Sequence, residues 1–208
     1  MAQTTSQIQI CNRALQILGY QPISSLTDGS RGARAMQRAY QPVLLGMLRD
    51  NFWNFALTRA SLAASSTPPL FGPANYFPLP PDFLDLAPPD QTYGVAFGGF
   101  ISGPPNITDY QIEKMPGGGI AIVSDQVAPI NIRYVSSNVT ESQFDTSFAE
   151  ALSALLAIET CEELTQSNTK FQSIGKIYDE AMETAKKRNA FENRPTNAPI
   201  DPWISQRF

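Results

Sequence analysis

The chain has 208 residues, 42% hydrophobic and 16% charged, which gives enough apolar content for one substantial core or two small ones. Fifteen basic against nineteen acidic residues leave a net charge of -4, so no overall basic field exists to coat a polyanion. Histidine is absent and cysteine occurs only at Cys11 and Cys161, which removes most zinc sites and every Ser-His or Cys-His nucleophile pair. No apolar run approaches the roughly 18 residues of a spanning helix, and the N-terminus lacks a basic flank before an apolar region. The reading is of a protein made in the cytosol, with no membrane partner.

In chain order, Ile8, Cys11, Ala14, Leu15 and Leu18 form an apolar stripe of helical period, with Thr5 or Ser6 as N-cap and Gly19 just past the end. A turn containing Pro22 and Asp28-Gly29 leads to a second helix near Ser30–Asn51, where Pro42 is expected to kink or divide it. Met36, Tyr40, Val43 and Met47 face one way on it, and Arg31, Arg34, Arg38 and Arg49 nearly the opposite way.

Between Ser66 and Gly119 lie 11 of the 17 prolines and 8 of the 13 glycines, a density no packed helix tolerates. Tyr76–Leu86, Tyr110–Lys114, Ile120–Ser124 and Ile130–Val135 read as strands, the last three as a meander turning at Gly117–Gly119 and Val127–Pro129. Gly94–Pro105, apolar and glycine-rich, reads as a loop or contact tip.

A third helix runs from Phe144 to about Thr165, its broad face of Phe148, Ala151, Leu152, Leu155 and Ile158 marking it as the centre of the helical part. After Ser167-Asn168, a stripe of Phe171, Ile174, Tyr178, Ala181, Met182 and Ala185 predicts a fourth helix to about Phe191. Three prolines then prevent any further helix, although Trp203, Ile204 and Phe208 follow. The expected fold class is α+β, mainly α: an antiparallel bundle of about four helices from residues 1–65 and 140–192, a β-rich Pro/Gly-rich insertion at 66–139, and an extended docking tail at 193–208.

Catalytic candidates are few. Cys11 and Cys161 sit on apolar helical faces and read as core thiols. Glu162 and Glu163 are adjacent on a helix and diverge by about 100°. Pro116–Gly119 lacks the GK[ST] ending of a phosphate loop and reads as a hairpin turn. The sequons at Asn106 and Asn138 have no meaning without a secretory route. No catalytic, cofactor-binding or metal-binding residues are expected, and the chain is not expected to be an enzyme.

Several stretches, taken in order, resemble the tail tubular protein A family, the head-to-tail adaptors of short-tailed bacteriophages. They are ICNRALQILGYQPISSLTDGS at the start; LLGMLRDNFWNFALTRASLA, with Trp53-Asn54-Phe55-Ala56; Phe77-Pro-Leu-Pro-Pro-Asp-Phe-Leu84, with one proline more than the family's strand entry; YVSSNVTESQFDTSFAEALSALLA; and the closing PWISQRF. The resemblance implies a structural virion protein of the viral tail, one subunit of a dodecameric ring assembled in the host cytoplasm between the portal protein and the tail nozzle protein. Genomic DNA would pass through its lumen without sequence-specific binding. A few family members have been discussed as hydrolases, so the alternative is a carboxylate-dependent cell-wall or polysaccharide hydrolase using residues such as Asp82 and Asp85.

Residues 1–59 carry six arginines against two carboxylates, net +4, whereas residues 60–208 carry nine basic and seventeen acidic residues, net -8. Arg31, Arg34, Arg38 and Arg49 are therefore candidates for contact with an acidic face of an adjacent subunit or the portal. Trp203, Ile204, Arg207 and Phe208 are candidate portal contacts, stiffened by Pro195, Pro199 and Pro202. With the family's layout, Phe97, Phe100, Ile101 and Gly118 become candidate nozzle contacts.

Overall fold

A computed structural model describes residues 6–87 and 110–192. Among these the chain is a mixture of helix and sheet: four α-helices, two short 3-10 turns and two antiparallel three-stranded sheets. It divides into two compact units, one of residues up to Ala56 together with Ser137–Glu192, the other containing Leu57–Ser136. The predicted tail at 193–208 and the loop at Gly94–Pro105 lie outside the described residues.

The helical unit takes its elements from both sides of the β unit in sequence. α1 (Gln7–Ile17) opens with a capping box: Ser6 Oγ accepts from the Gln9 amide at 3.3 Å, and the Ser6 amide donates to Gln9 Oε1 at 3.0 Å. It closes through Gly19, whose φ of +66° is the left-handed conformation that glycine adopts without steric cost. α2 (Arg31–Arg49) is capped by Ser30, whose hydroxyl accepts from the Ala33 amide at 3.2 Å.

Of the kink or division expected at Pro42, division does not occur: α2 continues through it. Pro42 and Arg38 are both exposed, so the Arg38 carbonyl that loses its amide partner is within reach of water.

α3 (Thr146–Thr165) starts at Asp145, whose carboxylate accepts from the Ser147 amide at 3.0 Å. It packs against α1, against α2 and against α4 (Asn168–Glu192). Its buried residues run nearly around the helix and many are small: Ala149, Ala151, Ser153, Ala154 and Ala157 allow neighbouring backbones close. The hydroxyls buried with them are satisfied locally, Ser153 donating to the Ala149 carbonyl at 2.8 Å and Thr160 to that of Leu156 at 2.7 Å. Leu155 and Ile158, expected at the centre of the buried face, are only half-buried.

In the β unit, β1 (Leu57–Leu62), β6 (Ile130–Ser136) and β3 (Phe83–Leu86) form one sheet in the order β1-β6-β3. The other has the order β2-β5-β4, from β2 (Asn75–Pro78), β4 (Gln111–Lys114) and β5 (Ile120–Ser124). Two expectations are corrected here. The single strand expected at Tyr76–Leu86 is two strands in different sheets, because Pro80 and Pro81 carry no amide hydrogen for a continuous ladder.

The expected meander also fails beyond its first hairpin: β5 pairs with β4 and β2, whereas β6 pairs with β1 and β3. The reason lies in which faces are apolar. Ile130 and Ile132 stand opposite Leu62 and Ala60, Phe77 stands opposite Ile122, and these side chains form one core with Tyr134. A single meander would leave two apolar faces uncovered, whereas two sheets cover each other. The turn expected at Gly117–Gly119 is present, with the Gly118 amide donating to the Met115 carbonyl at 3.0 Å and φ of +92° and +83° at Gly118 and Gly119.

Candidate functional site

Arg31, Arg34, Arg38 and Arg49 are all exposed on α2, as helical spacing dictates. The fold gives them different employment. Arg38 Nη2 bonds Glu163 Oε1 at 2.6 Å, and Arg31 Nη2 donates to the Glu163 backbone carbonyl. Both guanidiniums thus fasten the last turn of α3, where unpaired carbonyls and the negative end of the helix dipole favour cations. Arg34 and Arg49 make no ion pair with any described residue. They are the two of the four whose guanidiniums hold no carboxylate among the described residues.

Two further cations hold the helices together. Arg13 grips Glu150 in a fork, Nε at 2.9 and 3.0 Å from the two carboxylate oxygens and Nη2 at 2.5 Å from Oε1. Lys170 Nζ donates to the Leu18 carbonyl at 2.8 Å, capping the end of α1. An open groove of about 500 Å³ lies beside α1, between Gln9, Arg13 and Gln16 and the Gly19–Pro22 turn. Its polar lining is the amides of Gln9, Asn12 and Gln16, the Tyr20 phenol and a guanidinium already committed to Glu150.

The Trp53-Asn54-Phe55-Ala56 motif is a packing device. Trp53 is buried and meets Phe148 edge-on, with centroids 4.8 Å apart, and Phe55 meets both Phe148 and Phe144 at 4.8 and 5.3 Å. Asn54 clamps the end of α4: its amide hydrogen bonds Asn189 Oδ1 at 2.9 Å and its side chain donates to the Asn189 carbonyl at 2.9 Å.

The carboxylates of the hydrolase alternative are engaged in the β unit. Asp82 accepts from the Tyr134 hydroxyl at 3.2 Å and from Ser136 Oγ at 2.5 Å, while Asp85 accepts from the Leu86 amide at 2.8 Å. Burial, then the Asp82 charge, raises the Tyr134 phenol above its ordinary range. In the helical unit, Cys11 is fully buried, and its thiol is pushed up to about 12 by burial and then by Glu141. Tyr40, which donates to Glu141 Oε1 at 3.2 Å, is raised by burial in the same way. A thiol so protonated is a poor nucleophile. Cys161 is buried as well. Among the described residues, no group of three or more His, Cys, Asp or Glu side chains gathers to hold a metal ion, and no helix is long and apolar enough to cross a membrane.

Sequence patterning does not announce the exposed apolar surface. Leu70 is 92% exposed, Phe71 89% and Val127 86%. Their two loops are tied together where β2 begins and β5 ends: the Ala74 amide donates to Asp125 Oδ1 at 2.7 Å, and Asn75 Nδ2 to the Gln126 carbonyl at 3.1 Å. The available signal is that no charged residue occurs from Ala60 to Pro81. Of the candidate nozzle contacts, Gly118 is an exposed turn residue, while Phe97, Phe100 and Ile101 lie outside the described residues. So do the candidate portal contacts Trp203, Ile204, Arg207 and Phe208. Comparison with models of known protein families and with curated proteins finds no match for this chain.

Proposed function

We propose that this chain is a structural virion protein: a head-to-tail adaptor that joins copies of itself into a ring between portal and tail nozzle, with DNA passing through the lumen. In this reading it carries out no catalysis and takes no cofactor, and its work is done by surfaces. The observation that carries the proposal is the state of α4. This helix has 25 residues, yet only Ile174 and Ala185 are buried, while Phe171, Ile177 and Phe191 are 50%, 41% and 69% exposed. A helix so thinly covered suits a subunit that gains neighbours on assembly. The ordered resemblance to tail tubular protein A supplies the identity of those neighbours, and the unpaired Arg34 and Arg49 supply charge for them.

Negative-stain imaging of the purified protein, alone and mixed with portal, tests this reading. Rings of fixed symmetry, free or seated on the portal, are the expected result. Monomers that bind no portal and release reducing sugar from cell-wall polysaccharide would sink it in favour of the hydrolase.

A further inference from the structure

The β1-β6-β3 sheet has one face in the core and one outside it. Ile130, Ile132 and Tyr134 of β6 face the core with Leu62 and Ala60 of β1. By the two-residue period of a strand, Asn131 and Arg133 therefore stand on the other face, together with Arg59 and Ser61. There Arg59 is directly opposite Arg133, and Ser61 directly opposite Asn131. Side chains so opposed start about 5 Å apart at Cβ, which bases two guanidiniums side by side. Arg59, Ser61 and Asn131 are exposed, and Arg133 is half-buried.

This pairing is not the by-product of a basic surface. From Leu57 to Ser136 the chain has three cations, Arg59, Lys114 and Arg133, against six carboxylates. Two of those three are nevertheless set against each other, where like charges repel and weaken the ladder. The neighbouring carboxylate on this sheet is Asp85 of β3, opposite Val135 in the next row, and its Oδ1 accepts from the Leu86 amide. Arg133 joins no ion pair among the described residues.

We propose that Arg59 and Arg133 form an oxyanion site whose ligand is a phosphate dianion, free or as the terminal group of a larger molecule. The inference goes beyond the ring reading and does not rest on it, because each chain carries the whole site. Geometry selects phosphate over carboxylate. A carboxylate presents two oxygens, and a single guanidinium fork fills them. Two guanidiniums on neighbouring strands, with the Ser61 hydroxyl and the Asn131 amide one row behind, offer donors on several sides of one point. A phosphate group has oxygens on every side and a charge of about -1.5 to -2 as a monoester, which two guanidiniums balance. Arginine at both positions suits the same forked recognition, which a lysine ammonium does not supply. Once bound, the anion turns repulsion across the ladder into attraction.

The test titrates inorganic phosphate into the full chain by calorimetry and compares melting temperatures in phosphate and in chloride of equal ionic strength. The wild type is expected to bind one phosphate with a Kd on the order of 1 mM and to melt later in phosphate. Arg59→Gln and Arg133→Gln should each weaken binding at least tenfold and abolish that shift. Arg133→Lys should lose most of the binding although it keeps the charge, and acetate should not compete. In chloride at low salt neither glutamine variant should melt earlier than the wild type, since each relieves repulsion.

A short oligonucleotide with and without a 5′-phosphate separates the sources. Displacement of phosphate by the phosphorylated strand alone assigns the terminal group of a larger molecule, and displacement by neither assigns the free anion. Displacement by both overturns the dianion, because a phosphodiester then suffices. A wild type that binds no phosphate overturns the site, as does equal binding by Arg133→Gln, since the anion then sits elsewhere. Markedly earlier melting of Arg133→Gln in chloride also overturns it, because the guanidinium is then a tie within its own sheet. Ring formation is scored separately by imaging, so failure of the phosphate site leaves the ring reading standing.

Discussion

Replacing Trp53 with phenylalanine isolates what the indole contributes to the helical unit. α2 ends at Arg49 with Asp50 as its C-cap, so the Met47 carbonyl is among the last few that no helical amide reaches. Trp53 Nε1 supplies the missing donor at 2.8 Å in a buried site. Trp53→Phe removes the donor and leaves the carbonyl dry and unpaired, at a cost of about 1–3 kcal/mol. The smaller ring also leaves a void against Phe148 and Phe55, costing on the order of 1 kcal/mol more. A loss of about 2–4 kcal/mol is therefore expected.

The four helices of the described residues all lie in this unit, so far-ultraviolet circular dichroism in urea follows it without assuming that the whole chain unfolds as one. A cycle of Trp53→Leu with Phe148→Leu, each of which removes a ring, should show a coupling of about 0.5–1.5 kcal/mol from the edge-to-face pair. A Trp53→Phe protein within about 0.5 kcal/mol of the parent would refute the view that the indole closes α2.

Alkaline pH should loosen the same unit: the folded state holds the Cys11 and Tyr40 protons more tightly than the unfolded chain, whose values are 9.0 and 10.0. Their contribution is thus complete below pH 9 and declines as pH rises toward the folded values, about 12 for Cys11, by up to about 1.4 kcal/mol per pH unit per group. Cys11→Ala should delay the onset until Tyr40 alone is responsible, and urea midpoints that stay level from pH 8 to about 10.5 in the parent would contradict the linkage. Reversing the charge at Arg34 and Arg49 together should leave stability within about 0.5 kcal/mol yet weaken ring or portal association, most at low salt. Arg38→Glu should instead cost up to about 1 kcal/mol of stability by breaking its bond to Glu163, and unchanged sedimentation of the Arg34/Arg49 variant at low salt would refute the division of labour.

Local signals make the helices legible. Ser6 and Gln9, Ser30, Asp145 and Gly19 mark helix ends by hydrogen bonds or φ values that involve only near neighbours, and the glycine turn bounds the strand at Ile120–Ser124 correctly. What the sequence hides is partnership across the chain. β1 has no turn signal before it, and Leu-Thr-Arg-Ala-Ser-Leu alternates too weakly to declare a strand until β6 is seen beside it. The arginine stripe is visible as a stripe, but only the fold brings the end of α3 alongside, which claims Arg31 and Arg38 and leaves Arg34 and Arg49. Leu70 and Phe71 stand in a Pro-Pro-Leu-Phe-Gly-Pro run where apolar residues ordinarily anchor a loop to a core. Their exposure is a property of where the loop base is tied, and residue types alone do not carry it.

The partition of the helical unit between the two sides of the β unit sets an order of events on the ribosome. α1 and α2 share little contact with each other and lean mainly on α3, so the segment through Ala56 emerges with apolar stripes that α3 is not yet there to cover. The six strands of the described residues, through Ser136, are translated before α3 begins at Thr146, so the β unit can close while α1 and α2 are still waiting. For that interval the nascent chain presents Ile10, Leu15, Met36 and Leu48 to solvent, residues buried in the finished protein. They are the natural targets of a holding chaperone, and this window is when premature release or self-association does most harm.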